Sequence, residues 1–466
     1  MVPSMKKYDS IVVGGGISGL LSALVLSKSG KKILVLEKNE NLGNNCNSYI
    51  VDGYQVDTGP HAITQLRKGG PLSYLMDNYF DYIPVFLDYG EYFIRTETGL
   101  KKVPTDLGGY LTMDILPGKD RLIIAQALTK MLIMWQFGTD LSKTSVYECL
   151  PWDNLSSDTA EFTDTFCYFL SGRSMKETSV QRMFVGGGFV EESIQKDIAR
   201  ENNQNYNIYE EAKKLSYVSR LLNNKKVSYN QFYPRDGLKA IVNAILYSMP
   251  ETVEIKTNTA VKEIIVEDNT AKGVSTRDDS YYTDSIIYSA FVKDLPKYIK
   301  DLPAGYVSDL NNIKQSRTLT IWLGLSNEFD EFNYVGGEVW FKKKAFWAMP
   351  ISNYNRKFAP GGKKLVGFMF SIDENNDLES EKGDAYDTIL RVYPGIGKHI
   401  DMIHYQVTTP EKAAVSINGF IADTQTPIEN LYIVGTDADD RSMGVTRAAY
   451  SVVKLIKVLK HKGYID

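Results

Sequence analysis

Histidine and cysteine are the scarce residues of this 466-residue chain, with four and three copies. Cys46, Cys149 and Cys167 are odd in number and far apart. That excludes a disulfide framework or a Cys-x-x-Cys metal site and points to a reducing compartment. The histidines form no His-x-x-x-His pair, so no metal centre is expected. No long basic run occurs, and 53 lysines and arginines against 57 acids leave a net charge of -4; nucleic acid is therefore not an expected partner. No stretch approaches ~18 uninterrupted apolar residues, so no bilayer-spanning helix is expected. Lys6 and Lys7 lead into a glycine-broken strand rather than the continuous apolar region of a secretory signal. Met5 reads as the natural start, behind an appended Met1-Val2-Pro3-Ser4, and the cytoplasm is the expected location. Internal repeats and low-complexity segments are also missing.

What is there is ordinary in bulk and specific in detail. Hydrophobic residues make up 43% and charged residues 24%, the balance of a globular protein. The length exceeds what one compact core accommodates, so at least two domains are expected.

The most informative segment is Ile11-Val12-Val13-Gly14-Gly15-Gly16-Ile17-Ser18-Gly19-Leu20. An apolar strand runs into Gly-x-Gly-x-x-Gly, and an apolar-periodic helix follows through Ala23, Leu24 and Leu26. A second strand, Ile33-Leu34-Val35-Leu36, ends in Glu37. This order is the dinucleotide-binding βαβ unit. Gly14 permits the tight turn, Gly16 lets backbone approach a pyrophosphate, and Gly19 lets the helix pack close on the strand, with the helix N-terminus facing the phosphates. Glu37 closes the second strand at about the spacing expected of a ribose-binding carboxylate. Such a unit implies an ADP-containing cofactor, NAD or FAD.

Further along, helical periodicity and aromatics dominate from Gln65 to Arg220. Within it, Leu122–Phe137 is strongly apolar with one charge, Lys130. Two readings stand: a helix of a core or subunit interface, or one lying in a membrane surface. Tyr233-Pro234-Arg235-Asp236-Gly237 opens another helix, and strand-like runs at Val253–Ile255, Ala260–Val266, Ala271–Val274 and Ser285–Ala290 read as a return to the first sheet. Arg317 to Asn418 is strand-rich and predicts a second sheet. Leu431–Val434 forms a last strand ending in Gly435-Thr436-Asp437, and a helix begins near Val445. A second acid-bearing strand-turn-helix, so far from the first phosphate loop, suits a long two-part cofactor and favours FAD over NAD.

Taken with Asp52-Gly53-Tyr54-Gln55-Val56-Asp57-Thr58-Gly59-Pro60 and Ala359-Pro360-Gly361-Gly362-Lys363, these motifs resemble the phytoene desaturase-like branch of the FAD-dependent amine oxidase superfamily. The resemblance implies an α/β fold, a discontinuous Rossmann-like FAD-binding domain (residues 1–65, 231–300 and 425–466) with an inserted α+β substrate domain (66–230, mostly helical, and 301–424, strand-rich). It implies non-covalent FAD, held by Gly14, Gly16, Ile17, Ser18 and Gly19 at the pyrophosphate and by Glu37 and Lys38 at the adenosine ribose. Val261 would meet adenine through its backbone, Gly435 and Asp437 the ribityl chain, and Gly444, Val445 and Thr446 the flavin edge, with Gly43, Asn44, Asn45 and Gly59 also lining the cofactor. Where the family has Gly-Gly-Arg, this chain has Gly43-Asn44-Asn45, so an arginine contact is lost or supplied elsewhere. The tail Arg441–Arg447 also departs from the glycine- and proline-rich family version.

The implied substrate is an apolar isoprenoid, carotenoid-like molecule or other lipid, reached from a membrane surface, with hydride transfer at flavin N5 desaturating or saturating a carbon–carbon bond. His61, following Gly59-Pro60, is the candidate for the accompanying proton; a histidine bonded within the domain interface is the alternative. Arg441 and Arg447 are candidates for holding a phosphate head group or offsetting reduced-flavin charge, against the default of solvated surface arginines. A non-covalent FAD amine oxidase, a flavin-dependent isomerase and a binding module without turnover are the other readings. No cysteine follows Cys167, which excludes a C-terminal cysteinyl flavin. No residue pattern specifies the electron acceptor or donor.

Overall fold

The structure, a computed structural model, describes residues 7–67, 69–104, 109, 112–186, 194, 231–342, 344–372 and 376–466. The proposed start at Met5 and nearly all of 187–230, part of the stretch read as helical, lie outside the described residues.

Strands Val253–Lys256, Ile33–Leu36, Lys7–Val13 and Ser280–Tyr288 lie side by side, all parallel. Leu431–Ile433 pairs in parallel with the second half of Ser280–Tyr288, and an antiparallel meander through Glu263–Glu267 and Thr270–Ser275 runs into its first half. The unbroken apolar run Ile33-Leu34-Val35-Leu36 is buried throughout, as a parallel strand covered on both faces must be. Its side chains divide with period two. Ile33 and Val35 join Val12 beneath the helices Ile17–Lys28, Lys239–Tyr247 and Gly444–His461, while Leu34 and Leu36 join Ile11 and Val13 against Val292, Leu295 and Ile313.

A second sheet has the order Ile400–Ala413, Gln315–Leu325, Lys364–Ser371, Phe346–Met349, Gly336–Trp340, Glu91–Thr96, Gly99–Lys102. The last two strands come from within 66–230, the stretch read as mostly helical. They form because Glu91–Thr96 pairs with Gly336–Trp340, where a side chain at Gly336 would lie 1.9 Å from the Glu91 carbonyl oxygen. That long-range pairing leaves no mark in the local pattern of Glu91–Thr96. Helices Pro71–Tyr79, Gly118–Gln136, Ser157–Ser171 and Val180–Gly186 do occupy the same stretch. The strand-rich stretch in turn contains a helix, Leu378–Val392, capped by Asp377 on the Ser380 amide and burying Ala385 and Ile389 under the sheet.

The apolar stretch Leu122–Phe137 falls largely in the helix Gly118–Gln136. Met131, with Ile124, Ala127 and Leu128, packs against Leu141, Val146 and Phe184. Leu122, Ile133, Met134 and Phe137 stay exposed, Phe137 at 76%. Among the described residues no helix is long and apolar enough to cross a membrane.

The two sheets meet around Asp57. Ser48–Val51 and Tyr54–Asp57 form a hairpin whose turn residues, Asp52 and Gly53, both have positive φ, as the two-residue hairpin turn that follows strand twist requires. Fully buried Asp57 accepts from Ser48 Oγ (2.6 Å), Tyr233 OH (2.6 Å) and the Leu238 amide (3.3 Å). Its backbone carbonyl takes the Gln406 amide from the second sheet. Burial outweighs these bonds and pushes the Asp57 carboxyl up to about 6. Between the ordinary carboxylate range and pH 6 the unfolded chain therefore releases a proton that the folded protein keeps, so stability falls as pH rises through this window and levels off above it. Asp57→Asn retains the network, because the Tyr233 hydroxyl can turn to accept. Urea denaturation at pH 4 and pH 7 should show the wild type losing about 2 kcal/mol more than Asp57→Asn. Equal losses would remove Asp57 as the proton-binding group.

Candidate functional site

The segments singled out in the sequence converge at the carboxyl ends of the first sheet's parallel strands, where ligands bind in open α/β sheets. The Gly14 amide bonds the Leu36 carbonyl (2.8 Å) and the Ser289 amide bonds the Val13 carbonyl (2.8 Å), so the loop leaves the sheet with its edges pinned. Gly14 has φ +107°, a conformation open to glycine at little cost. A side chain on Gly19 would stand 2.1 Å from the Gly14 carbonyl oxygen; only glycine lets the helix Ile17–Lys28 start this close to the strand. That helix begins without a side-chain cap and without an acid in its first turn. Ile17, Ser18 and Gly19 therefore present unpaired first-turn amides at the positive end of the helix dipole, the arrangement that receives phosphate.

Glu37 has backbone partners of its own in the structure. It is 1% exposed, with Oε2 accepting the Gly15 amide (2.7 Å) and Oε1 the Asn39 amide (2.8 Å). Its first task is to fasten the phosphate loop; a ribose would take the lone pairs these bonds leave. The Thr259 amide bonds the Glu37 carbonyl (2.8 Å), which brings buried Val261 to this end of the site. Lys38 is exposed.

Gly43 is drawn over the loop, its amide on the Gly15 carbonyl (2.8 Å) and its strand bridge to Gly16. Asn44 adopts φ +45°, which asparagine tolerates better than most residues. Its Nδ2 lies 3.4 Å from the position of a Cβ on Gly16, so an amide donor stands over the glycine that would face a pyrophosphate. Asn45 is exposed beside it.

The C-terminal motif closes the other side. A Cβ on Gly435 would meet only Ser18 Oγ, at 3.6 Å, and one on Gly444 nothing within 4 Å, so both glycines border open space. Asp437, buried, accepts the Val292 amide (3.1 Å). The helix Gly444–His461 also starts without a side-chain cap or a first-turn acid. Thr446 donates to the Thr64 carbonyl (2.9 Å), and Val445 is buried. Two uncapped helix N-termini, a glycine-lined space between them and the small side chain of Ser18 at their junction fit a long cofactor with a phosphate bridge and an electron-rich ring.

His61 folds back on its own loop. Its Nε2 is 3.0 Å from the Thr58 carbonyl and crowds Gly59, where a Cβ would be 2.8 Å away. Since the carbonyl can only accept, Nε2 carries the proton and Nδ1 of the neutral ring carries the lone pair. The neighbouring Pro60 carbonyl takes the Trp347 indole N–H (3.3 Å), tying this loop to an aromatic group of Trp347, Tyr89, Tyr92 and Phe169 on the second sheet.

Arg447 is not the solvated arginine of the default reading. It is 1% exposed and donates to the carbonyls of Thr436 (3.3 Å) and Ser442 (2.8 Å). Arg441 pairs with Asp439 at 2.6 Å and lies over the Tyr450 ring. Arg182 went unmarked in the sequence because nothing around it is patterned. It is buried, bonding the carbonyls of Leu170 (2.9 Å) and Ser442 (2.8 Å). Only the fold could reveal it.

A model of the NAD(P)-binding Rossmann-like domain matches residues 12–79. That is the half of the site NAD and FAD share, so the match specifies the dinucleotide fold rather than the cofactor. An uncharacterised protein in the nifH2 3′ region of Methanothermococcus thermolithotrophicus is 52% identical over 102 residues, 22% of this chain and 97% of that protein. All-trans-retinol 13,14-reductase of Rattus norvegicus is 34% identical over 103 residues, 21% of this chain and 17% of the reductase. Carotenoid 3,4-desaturase of Haloarcula japonica is 48% identical over 52 residues, 11% of this chain and 10% of the desaturase. The chain thus spans less than a fifth of the length of these two enzymes.

Among solved structures, an oxidoreductase from Methanosarcina mazei superposes with a TM-score of 0.74 at 18% identity, covering 97% of this chain and 100% of that one. A protein titled a putative protoporphyrinogen oxidase, from Exiguobacterium sp. 255-15, gives 0.70 at 17% identity, covering 98% and 100%. Both likenesses extend the shared fold over nearly the whole chain. The chain belongs to one family with the Methanothermococcus protein.

Proposed function

We propose that the protein binds FAD non-covalently and uses it for two-electron chemistry at a carbon–carbon bond of a long apolar, isoprenoid-like substrate. The observation that carries the cofactor half is the junction at Ser18. The N-terminal phosphate loop and the C-terminal Gly435 turn, more than 400 residues apart in sequence, are neighbours there, since a Cβ on Gly435 would stand 3.6 Å from Ser18 Oγ, and each leads into an uncapped helix N-terminus. NAD needs the first of these; a flavin on a ribityl chain uses both. In this reading residues 1–65, 231–300 and 425–466 form the cofactor domain, and 66–230 with 301–424 form the substrate domain. The purified protein should be yellow or take up FAD, and acid precipitation should leave the flavin in the supernatant. Glu37→Ala, which frees the Gly15 and Asn39 amides, should weaken FAD binding by roughly 1.5–3 kcal/mol in a fluorescence titration. Flavin retained in the pellet, or preferential NAD binding, would defeat the reading.

The substrate half is supported by the names of the relatives, a retinol reductase and a carotenoid desaturase, and by the aromatic group that Trp347 holds against Pro60. A bound flavin supplies hydride transfer at N5. The chain would supply apolar walls that exclude water and, at His61 Nδ1, a group that takes or gives the accompanying proton. His61→Ala should then lower kcat by about 10²–10⁴-fold with FAD occupancy unchanged; near-normal turnover would remove His61 from the chemistry. Rapid flavin reduction by an amine, with none by any polyprenyl substrate, would replace the substrate class.

A substrate of this kind partitions into bilayers, and we further propose peripheral docking on the cytoplasmic face of a membrane through the exposed stripe Leu122, Ile133, Met134 and Phe137. Ile124 belongs to the packed side of the helix, so the informative variant is Ile133→Glu/Phe137→Glu. It should sediment with liposomes less than the wild type while melting at the same temperature. Equal sedimentation would assign the stripe to another contact.

A further inference from the structure

The strand Ile63–Thr64 continues the His61 loop and pairs with Gln231–Pro234 at the edge of a three-stranded sheet. The outer edge of a sheet leaves backbone groups without strand partners. Here the start of the helix Gly444–His461 takes that place. The Thr64 carbonyl accepts from Thr446 Oγ1 (2.9 Å), and one helical turn on, Tyr450 OH donates to Gln65 Oε1 (2.5 Å). Successive side chains of a strand point to opposite faces. Gln65 is left-handed, at φ +58°, and this break in the alternation lets both residues meet one helix face, on which positions four apart are neighbours.

The Thr64 hydroxyl reaches further. Its Oγ1 lies 3.0 Å from Thr446 Oγ1 and 2.8 Å from Ser442 Oγ. The proton directions follow from the carbonyl, which can only accept. Thr446 gives its proton to it, so Thr64 donates to Thr446 and Ser442 donates to Thr64. Ser442 and Thr446 are 7% and 1% exposed, so these bonds stand in for water. Ser442 is itself left-handed, at φ +51°, a backbone that a non-glycine residue holds only when its surroundings impose it. Arg182 and Arg447 hold its carbonyl, and Thr64 holds its side chain. Two residues later Gly444 borders open space, and the uncapped first turn of Gly444–His461 begins.

We propose that Thr64 is a positioning residue for the flavin end of the cofactor, holding the Ser442–Gly444 turn in its binding geometry before FAD arrives. The proposal rests on the FAD reading above. A turn fixed in advance adds no ordering cost to binding, whereas a loose one is ordered only as the ligand binds and lowers its affinity. The side-chain bonds of Thr64 go to Ser442 and Thr446, while the phosphate loop is fastened by Glu37. Thr64 therefore acts on FAD and not on ADP, which ends before the ribityl chain. Because the strand continues the His61 loop, the same hydroxyl group also refers the candidate proton-transfer residue to the flavin edge.

The test is the affinity of the full-length, flavin-stripped protein for two probes, FAD by fluorescence titration and ADP by calorimetry, in the wild type, Thr64→Val and Thr64→Ser. Thr64→Val keeps the branched shape that suits a strand and removes the hydroxyl, leaving the buried Ser442 O–H without its acceptor. It should weaken FAD binding about tenfold, the scale of one buried hydrogen bond lost, with ADP binding unchanged. Thr64→Ser should bind both probes as the wild type does. Ser442→Ala, which cuts the same bond from its other end, should repeat the selective loss, and it decides alone if Thr64→Val does not fold. Unchanged FAD affinity in these variants, or FAD and ADP weakened together, would make the network ordinary packing and overturn the inference. A Thr64→Ser protein as weak as Thr64→Val would overturn the role of the hydroxyl. A wild type that binds ADP and takes up no FAD would instead sink the FAD reading itself.

Discussion

The site depends first on how closely the backbone of the helix Ile17–Lys28 approaches the end of the strand Lys7–Val13. With a side chain on Gly19 placed 2.1 Å from the Gly14 carbonyl, any residue larger than glycine would push the helix outward and carry the amides of Ile17 and Ser18 away from the cleft. The same close approach brings Ser18 beneath Gly435 and lets Ser18 Oγ share a hydrogen bond with Ser289 Oγ at 2.8 Å. Three stretches far apart in the chain are thereby referred to one helix terminus. Glu37 supports the arrangement from behind. A buried carboxylate needs charge-assisted partners, and the Gly15 and Asn39 amides supply them.

A second buried carboxyl organises the connection to the other sheet. Asp57 gathers the Ser48 hydroxyl, the Tyr233 hydroxyl and the Leu238 amide, and Gly237 is glycine because a Cβ there would collide with Gln55, Ser48 and Asp57. Thr58 to His61 leaves this knot directly, so the loop carrying the candidate proton-transfer group is anchored at both ends, by Asp57 on one side and by the Trp347 bond to Pro60 on the other. The aromatic group around Trp347 and the glycine turn at Gly237 are thus held by polar contacts that tolerate little displacement.

Arginine has two kinds of work in this molecule. Arg95 lies between Glu338 and Glu331 (2.9 Å to each) and under the Tyr393 ring, a buried ion cluster that locks Glu91–Thr96 to Gly336–Trp340. Arg182 and Arg447 instead donate to backbone carbonyls, which ties chain segments together. At the Gly43-Asn44-Asn45 turn, Asn44 offers a neutral amide donor over Gly16.

Much of the first sheet was legible because its signals are local. Gly14-x-Gly16-x-x-Gly19 between an apolar strand and an apolar helix, the buried run Ile33–Leu36 and the Leu431–Gly435 strand end each report their structure within a few residues, through glycine conformation and side-chain period. The strand Glu91–Thr96 was not legible, since its partner Gly336–Trp340 lies some 240 residues away, and Gly99–Lys102 forms only by pairing back on it. Roles within the site divide the same way. Sequence by itself determined two glycine-led helix starts without acids in their first turns, because the glycines and the missing acids are written locally. Only the tertiary structure decided that Glu37 first serves the loop's own amides, that Arg447 is buried, and that Arg182 reaches the Ser442 turn, because each depends on which backbone groups the fold leaves within hydrogen-bonding reach.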